Sequence, residues 1–332
     1  MSDLRYDVQR AASPVSEFDE IVGSEKLATP PDGMGLCLSG GGYRAMLFHV
    51  GAILRLNEAQ PLPKLGCVSS VSGGSITAAV LGMNWRRLGF IAGTSALLDE
   101  LLVRPIRRLA SQTIDRRSIL GGILLPGSIS QWVSRAYDGA LFGGKTLQDL
   151  PSDFAGHSHG PLDREPFTQK FVLSDGGVYD NLGVETIWKQ YTLVLVSDGG
   201  GQLEPEGKPA SDWARRSKRV LELVDNQVRN LRKRQIIGGF VSDSDLHEGA
   251  YWGIRSNITH YNLADVLPCS QDKTLALAET PTRLKRLPIE TQNRLMNWGY
   301  AVCDAALRRH FACHLPDGLA APTRFPFEHS IG

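Results

Sequence analysis

The chain has 332 residues, of which 42% are hydrophobic and 21% are charged. This length allows a sizeable buried core, arranged as one large α/β domain or as two smaller domains. The 36 basic and 35 acidic side chains give a formal net charge of +1, which argues against a global nucleic-acid-binding surface, so we expect no nucleic-acid partner.

The N-terminal region, residues 1–31, is a polar arm without the apolar run of a secretory leader. An apolar stretch at residues 119–125 is too short to span a bilayer. These features predict a cytoplasmic protein whose lipid contacts are peripheral. The five cysteines are scattered without a C-x-x-C pair and indicate reduced thiols, mostly in the core: Cys37, Cys67, Cys269, Cys303 and Cys313.

A run of three glycines, Gly40–Gly42, follows residues 35–39, which form a short apolar run of strand length. The segment from Met46 to Glu58 then carries apolar residues at helical spacing. Successive glycines let backbone N–H groups point into one concavity, and a helix N-terminus adds partial positive charge. This glycine loop is therefore predicted to bind an anion, or an oxygen that becomes one during a reaction.

The glycine loop also fits a dinucleotide fingerprint. Gly40-x-Gly42-x-x-Ala45 has the spacing of that motif, and Glu58 stands near the position of a ribose-binding acid. A nucleotide-binding protein that uses residues 40–45 for a pyrophosphate is therefore an alternative, and it predicts measurable binding of a dinucleotide.

A later turn has the strand–turn–helix context of a nucleophile elbow. Residues 67–69 are strand-like, Ser72 lies in the turn, and residues 75–81 begin a helix of small residues. Small residues are required two positions either side of the nucleophile, because the strand and helix backbones come close together there. Gly74 meets this requirement, whereas Ser70 replaces the first glycine. A phosphate-binding Ser/Gly loop is the alternative for this turn taken alone.

Two Asp-Gly-Gly turns come later in the chain. Asp175-Gly176-Gly177 follows an apolar strand at 171–174, and Asp198-Gly199-Gly200 follows another at 194–197. Glycines after an aspartate allow close backbone approach, so that its carboxylate can face a neighbouring strand end. Spacing alone does not show which of the two aspartates belongs to the site.

Together the motifs resemble those of the patatin-like phospholipases, in the expected order and over most of the chain. The resemblance favours Asp175 over Asp198, because Asp180 and Asn181 complete the family's longer D-G-G-x-x-D-N pattern. The roles that it implies are catalytic for Ser72 and Asp175, which form a Ser–Asp dyad, oxyanion-binding for Gly40, Gly41 and Gly42, and supporting for Arg44, Gly73, Gly74, Gly176 and Gly177.

The resemblance also implies a fold and an activity. The expected fold is a patatin-like three-layer α/β/α domain at 32–320 with a mainly parallel central sheet, a helical C-terminal third and a tail at 321–332. The expected function is that of a serine lipid acyl hydrolase, a phospholipase A or carboxylic ester hydrolase of lipid degradation, which works through an acyl-enzyme. Its substrate is a lipid or another ester, and it requires neither a metal nor an organic cofactor.

The segment at 151–170 departs from the family, because it is polar and turn-rich where a further strand and a small-residue helix are expected. The sheet is therefore predicted to be shortened by one strand. A catalytically impaired protein that binds lipid or a partner protein is accordingly a further alternative. His157 and His159 are interpreted as solvated side chains and not as metal ligands, since no carboxylate or cysteine lies beside them at metal-ligand spacing.

A basic amphipathic helix is predicted over residues 214–234, with apolar residues that include Val220, Leu223 and Val224. Such a helix either docks on anionic lipid headgroups or packs its apolar stripe against the protein. A last helix, around residues 295–311, is predicted to dock on the core.

Overall fold

The computed structural model describes residues 32–114, 134–145, 177–208, 211–241 and 247–328, together with Ile331. The arm at 1–31, the polar segment at 151–170 with its two histidines, and the strand expected at 171–174 lie outside the described residues. What the sequence predicts for these regions stays a prediction, as do the boundaries of the domain and the tail.

A parallel sheet lies at the centre of the described residues. Its strands pair in the order β2-β1-β3-β4, and every pairing is parallel. β1 is thus flanked by β2 and β3, so the segments that follow these three strands meet at one edge of the sheet. In chain order the strands are β1 (Met34–Leu38), β2 (Leu65–Ser70), β3 (Leu193–Asp198) and β4 (Glu248–Gly253).

Helices connect and cover these strands. The helices predicted after the glycine loop, after the elbow and over the basic segment are confirmed, and each is longer than its sequence pattern indicates. The α-helices are α1 (Gly42–Glu58), α2 (Gly73–Asn84), α3 (Arg104–Ala110), α4 (Gly177–Asp180), α5 (Val184–Gln190), α6 (Trp213–Val241), α7 (Gln271–Ala278) and α8 (Ile289–His310). Short 3-10 segments lie at Leu62–Lys64, Trp85–Leu88, Ile258–Tyr261 and Ala312–His314, and π-helical segments at Asp99–Val103 and Asp138–Phe142.

Apolar side chains of the strands alternate between the two faces of the sheet. Leu36 and Leu195 belong to a large core cluster that includes residues of α1 and α8. Cys37 and Val196 belong to a smaller cluster that includes Ile236 of α6. Helices therefore cover both faces, which confirms the expected three-layer α/β/α fold with a mainly parallel sheet.

The last predicted helix, α8, does dock on the core, where it lies against α1. An added Cβ at Gly51 of α1 or at Gly299 of α8 would overlap a carbonyl oxygen of the facing helix, so the close approach requires glycine at both positions. Arg55 of α1 also forms a buried ion pair with Asp304 of α8, with 2.7 Å between Nη2 and Oδ1. This packing holds α1 firmly behind the glycine loop that precedes it.

All five cysteines are free thiols, as predicted, and Cys37 and Cys303 are fully buried. No helix in the described part of the chain is long and apolar enough to cross a membrane.

Candidate active site

The glycine loop and the elbow lie side by side at the carboxyl edge of the sheet, because β1 and β2 are paired neighbours. Ser70 ends β2 and α2 starts at Gly73, so Ser72 lies in the tight turn between them. Val71 donates its amide to Leu38 O at 3.0 Å, and this hydrogen bond ties the elbow to β1. The structure thus brings together the two motifs that the sequence separates by about 30 residues.

The backbone of Ser72 is strained. Its φ is 47° and its ψ is −115°, a conformation that non-glycine residues rarely adopt. Ser72 is nevertheless exposed, whereas the flanking residues Val71 and Gly73 are buried. A sharp strand-to-helix turn of this kind presents the serine hydroxyl above the sheet, as a nucleophile elbow requires.

The supporting glycines of the elbow are required by close backbone contacts. A Cβ at Gly73 would overlap the carbonyl oxygen of Gly42, and one at Gly74 would overlap that of Leu38. Ser70, which stands where the motif has its first glycine, is instead the last residue of β2 and pairs with Leu38. An extended strand conformation accepts any side chain, so the replacement is compatible with the turn.

The glycine loop presents two open amides rather than three. Gly40 already donates its amide to Asn181 O at 3.0 Å. Gly41 and Gly42 have φ values of 146° and 58°, and no acceptor for their amides is found among the described residues. Of the three glycines predicted to bind an oxyanion, the structure therefore leaves Gly41 and Gly42 available as donors.

Arg44, which follows the glycine loop, fixes it through hydrogen bonds to backbone carbonyls. Its side chain is buried, its Nε donates to Gly199 O at 3.2 Å, and its Nη1 donates to Thr280 O at 2.7 Å. Burial, together with repulsion from Arg229 and Arg255, lowers the pKa of Arg44 to about 10. Arg44 thus stays charged at neutral pH and ties α1 to the residues at the ends of β3 and α7.

A cavity of about 430 Å³ opens above Ser72. Its lining includes Gly40, Gly41 and Asn181 on one side and residues of α6, among them the carboxylates Glu222 and Asp225, on the other. Lys218 pairs with Glu222 at 3.4 Å. In the described part of the chain, no side chain hydrogen-bonds to Ser72 Oγ.

The predicted base, Asp175, and Gly176 lie outside the described residues, whereas α4 begins at Gly177. Asp180 is buried, and its carboxylate accepts the amides of Leu182 at 3.1 Å and Glu185 at 2.8 Å. These bonds fix the turn in which Asn181 reaches the glycine loop. Asn181 is a site residue to which the sequence assigns no role, although its motif contains it.

The second Asp-Gly-Gly turn, Asp198–Gly201, lies at the end of β3 beside the glycine loop. Asp198 is fully buried, and one carboxylate oxygen contacts Arg229 Nη2 at 2.5 Å and the amide of Gly200 at 3.0 Å. The other oxygen contacts Lys233 Nζ and Tyr251 Oη, each at 2.7 Å. Arg229 and Lys233 were visible in the sequence only as two of many cations in the basic helix, spaced one turn apart.

These contacts determine the charge of Asp198. Burial alone would raise its pKa, but Arg229 and Lys233 hold the pKa well below its usual range. Burial and the Asp198 carboxylate together raise the pKa of Tyr251 well above its usual value. Asp198 is therefore a permanently ionised acceptor with both oxygens occupied, which is a poor environment for a general base.

The acid invoked for dinucleotide binding lies far from the glycine loop. Glu58 is the last residue of α1, about 24 Å along the helix from its start. There it contacts Arg55 and Tyr300. A ribose-binding acid lies close to the glycine turn of its fingerprint, so this geometry weighs against a dinucleotide site of that type.

A serine on a strained strand–helix turn, beside a loop with open amides, is the arrangement shared by hydrolases with a nucleophile elbow. In agreement with that class, residues 36–172 match the family model of the patatin-like phospholipases. The match spans the glycine loop and Ser72 and ends before Asp175. The resemblance seen in the motifs is thereby confirmed, and at the level of the family it indicates a lipid acyl hydrolase. No curated protein matches the chain.

Proposed function

We propose that the protein is a serine lipid acyl hydrolase, a phospholipase A or a related carboxylic ester hydrolase. The observation that carries the proposal is the backbone of Ser72, which holds an exposed serine in a strained turn beside the open amides of Gly41 and Gly42. Such strain persists only where the surrounding structure enforces it, and it clusters at active sites.

The proposed reaction has two steps. Ser72 Oγ attacks the ester carbonyl carbon while its proton passes to Asp175, directly or through a water, and the amides of Gly41 and Gly42 donate to the tetrahedral oxyanion. Collapse of this intermediate expels the alcohol, which takes the proton from Asp175, and leaves acyl-Ser72. A water that gives its proton to Asp175 then attacks the acyl carbon, and the carboxylic acid leaves as Ser72 regains its proton.

The choice of Asp175 rests on the family pattern and is supported by the residues that follow it. Asn181, six residues later in the same motif, lines the cavity at Ser72. The rival Asp198 is engaged by Arg229 and Lys233, which hold its carboxylate ionised. Asp225, on the far wall of the cavity, is the described carboxylate that most needs to be tested against Asp175.

Labelling with a fluorophosphonate probe, together with hydrolysis of a short-chain nitrophenyl ester, tests the proposal. We expect the wild type to label and turn over, and Ser72→Ala to do neither. Asp175→Asn should lower kcat by at least about 100-fold, the usual scale for loss of a general base. Asp225→Asn is the matched control, since it removes a cavity carboxylate with the same change and should keep most activity.

Several outcomes with these variants would contradict the proposal. Full turnover in Asp175→Asn would refute its role as base, and loss of turnover in Asp225→Asn alone would move that role to Asp225. A folded wild-type protein that neither labels nor hydrolyses the ester would contradict the enzyme assignment and leave the lipid-binding or partner-binding alternative.

Peripheral contact with a membrane through α6 is the second part of the proposal, together with a cytoplasmic location. The predicted apolar stripe does not pack against the protein, because Val220, Leu223 and Val224 are all exposed. Arg215 and Lys218 lie on the same stretch of helix and are also exposed. Exposed apolar and basic side chains together suit the surface of an anionic bilayer.

A further inference from the structure

A second cavity, of about 350 Å³, adjoins the one at Ser72. The two cavities share Gly201, Gln202, Asn226 and Arg229 in their walls. The second cavity lies over the carboxyl ends of β3 and β4 and reaches Arg255, just beyond β4. A group attached to a substrate at Ser72 would therefore find it within the same depression.

The described lining of this second cavity carries an excess of positive charge. Arg229, Lys233 and Arg255 line it, and Asp198 is the acidic residue in that lining. Asp198 pairs with Arg229 and Lys233, so Arg255 has no carboxylate within the cavity. Its ion pair with Glu204 is long, at 3.7 Å, and Glu204 is 73% exposed, so water screens the interaction.

Guanidinium groups around the cavity also have donors without acceptors. Among the described residues, no hydrogen-bond partner is found for the buried Nε atoms of Arg229 and Arg255, which both line the cavity. The Arg229 side chain is only 8% exposed. Buried polar atoms are nearly always hydrogen-bonded, so unpaired donors on two lining arginines indicate a missing acceptor.

We propose that this cavity binds a phosphate-type oxyanion, held by Arg255 and Lys233 and backed by Arg229. The planar guanidinium fork matches the oxygens of a phosphate group, and an ammonium adds a further charged donor. The anion is either the headgroup phosphate of a lipid whose ester reaches Ser72 or free phosphate. The headgroup form rests on the proposed function, whereas binding of free phosphate does not.

Calorimetric titration with inorganic phosphate tests binding separately from catalysis, on the full chain with Ser72→Ala in all variants. Arg255→Gln should weaken binding about tenfold or more, because it removes a charged hydrogen-bond donor. Lys233→Gln should weaken it in the same direction. Lys64→Gln, an exposed residue just before β2 at the opposite edge of the sheet, removes the same charge and should bind like the parent. Thermal unfolding shows whether each variant is folded.

Kinetics with Ser72 intact distinguish the two sources of phosphate. If the anion is a lipid headgroup, Arg255→Gln should raise KM about tenfold for a short-chain phosphatidylglycerol and leave KM for a neutral nitrophenyl ester unchanged. If Arg255→Gln weakens the binding of phosphate but leaves the KM for phosphatidylglycerol unchanged, the site takes free phosphate.

Failure of the phosphate site and failure of the proposed function would give different results. Phosphate that does not bind, or that binds folded Arg255→Gln and Lys233→Gln as tightly as the parent, would overturn the inference even if the ester is hydrolysed. Arg255-dependent phosphate binding without ester hydrolysis would support the phosphate site and contradict the proposed function instead.

Discussion

The glycine loop after β1 and the Asp198–Gly201 turn after β3 are alike in sequence but differ in their hydrogen bonds. Each is a run of three glycines at the carboxyl end of a central strand, and the two strands are paired. In the glycine loop, the amides of Gly41 and Gly42 have no acceptor among the described residues, and Gly41 lines the cavity at Ser72. In the Asp198–Gly201 turn, Gly199 donates to Ser39 Oγ at 2.8 Å and Gly200 donates to the Asp198 carboxylate.

The space that the glycines create is also filled differently. Guanidinium groups occupy the space beside the Asp198–Gly201 turn: Arg229 lies against Gly200, and Arg44 lies against Gly201. The glycine loop faces a cavity instead. A glycine run therefore provides space and hydrogen-bond donors, and the residues that other parts of the chain bring to it determine whether these are occupied or left open.

The same substitution in both turns tests this contrast, beginning with the larger effect on stability. Gly200→Ala places a Cβ where the Arg229 guanidinium lies, and Arg229 is held by its buried pair with Asp198. We expect the free energy of unfolding to fall by about 3 kcal/mol or more, the scale for breaking a buried ion pair. Urea unfolding measures it, with Gly207→Ala, where an added Cβ meets nothing, as the control.

Gly41→Ala should act mainly on the reaction. Its φ of 146° disfavours a side chain, and the new Cβ would lie 2.9 Å from Gly199 O, so the loop must shift. Loss of one oxyanion donor costs about 100- to 1000-fold in kcat. Ester hydrolysis per folded molecule measures this effect. Equal losses of activity from Gly41→Ala and Gly200→Ala, once corrected for folding, would remove the distinction between the two turns.

His49 of α1 joins the residues that precede the two turns and gives a pH-dependent effect on stability. Its Nε2 donates to Ser39 O at 2.9 Å, and its Nδ1 accepts from Ser197 Oγ at 2.8 Å. Burial lowers its pKa to about 4. Between pH 6.5 and 4 the unfolded chain therefore binds a proton that the folded protein does not, so stability falls as the pH falls.

The expected loss through His49 is about 3 kcal/mol between pH 6.5 and pH 4. Urea unfolding at several pH values in this window measures it, and His49→Gln should reduce the slope against pH. His260→Gln, which changes an exposed histidine, is the control. An unchanged slope in His49→Gln would show that the connection between the two turns does not titrate in this way.

Local patterns predict the parts of the site that depend on neighbours in sequence. The strand, the glycine loop and α1 follow from residues 35–58, and the elbow follows from residues 67–81. Local patterns do not predict that the Gly40 amide is paired while those of Gly41 and Gly42 are not. The Gly40 amide donates to Asn181, which lies far along the chain. The state of Asp198 likewise depends on Arg229 and on Tyr251, which is 53 positions away.

For α6 the helical period was predictable, whereas the exposure of its apolar stripe was not. Whether such a stripe is buried depends on which elements the fold places beside it. In the structure α6 uses Arg229 and Ile236 to hold the sheet, and it leaves most of its other apolar side chains at the surface. The helix that closes the Asp198–Gly201 turn through Arg229 therefore also exposes the apolar side chains on which the proposed membrane contact depends.

Leu221→Asp tests that face with the smallest of the expected effects. Leu221 is 66% exposed, so the change should leave the fold intact, and co-sedimentation with vesicles of phosphatidylglycerol and phosphatidylcholine should weaken about tenfold. Ile289→Asp is the control, because Ile289 is a 54% exposed residue at the start of α8, away from α6. Equal sedimentation of both variants and the wild type would mean that α6 does not insert, and that its role is confined to holding the Asp198–Gly201 turn.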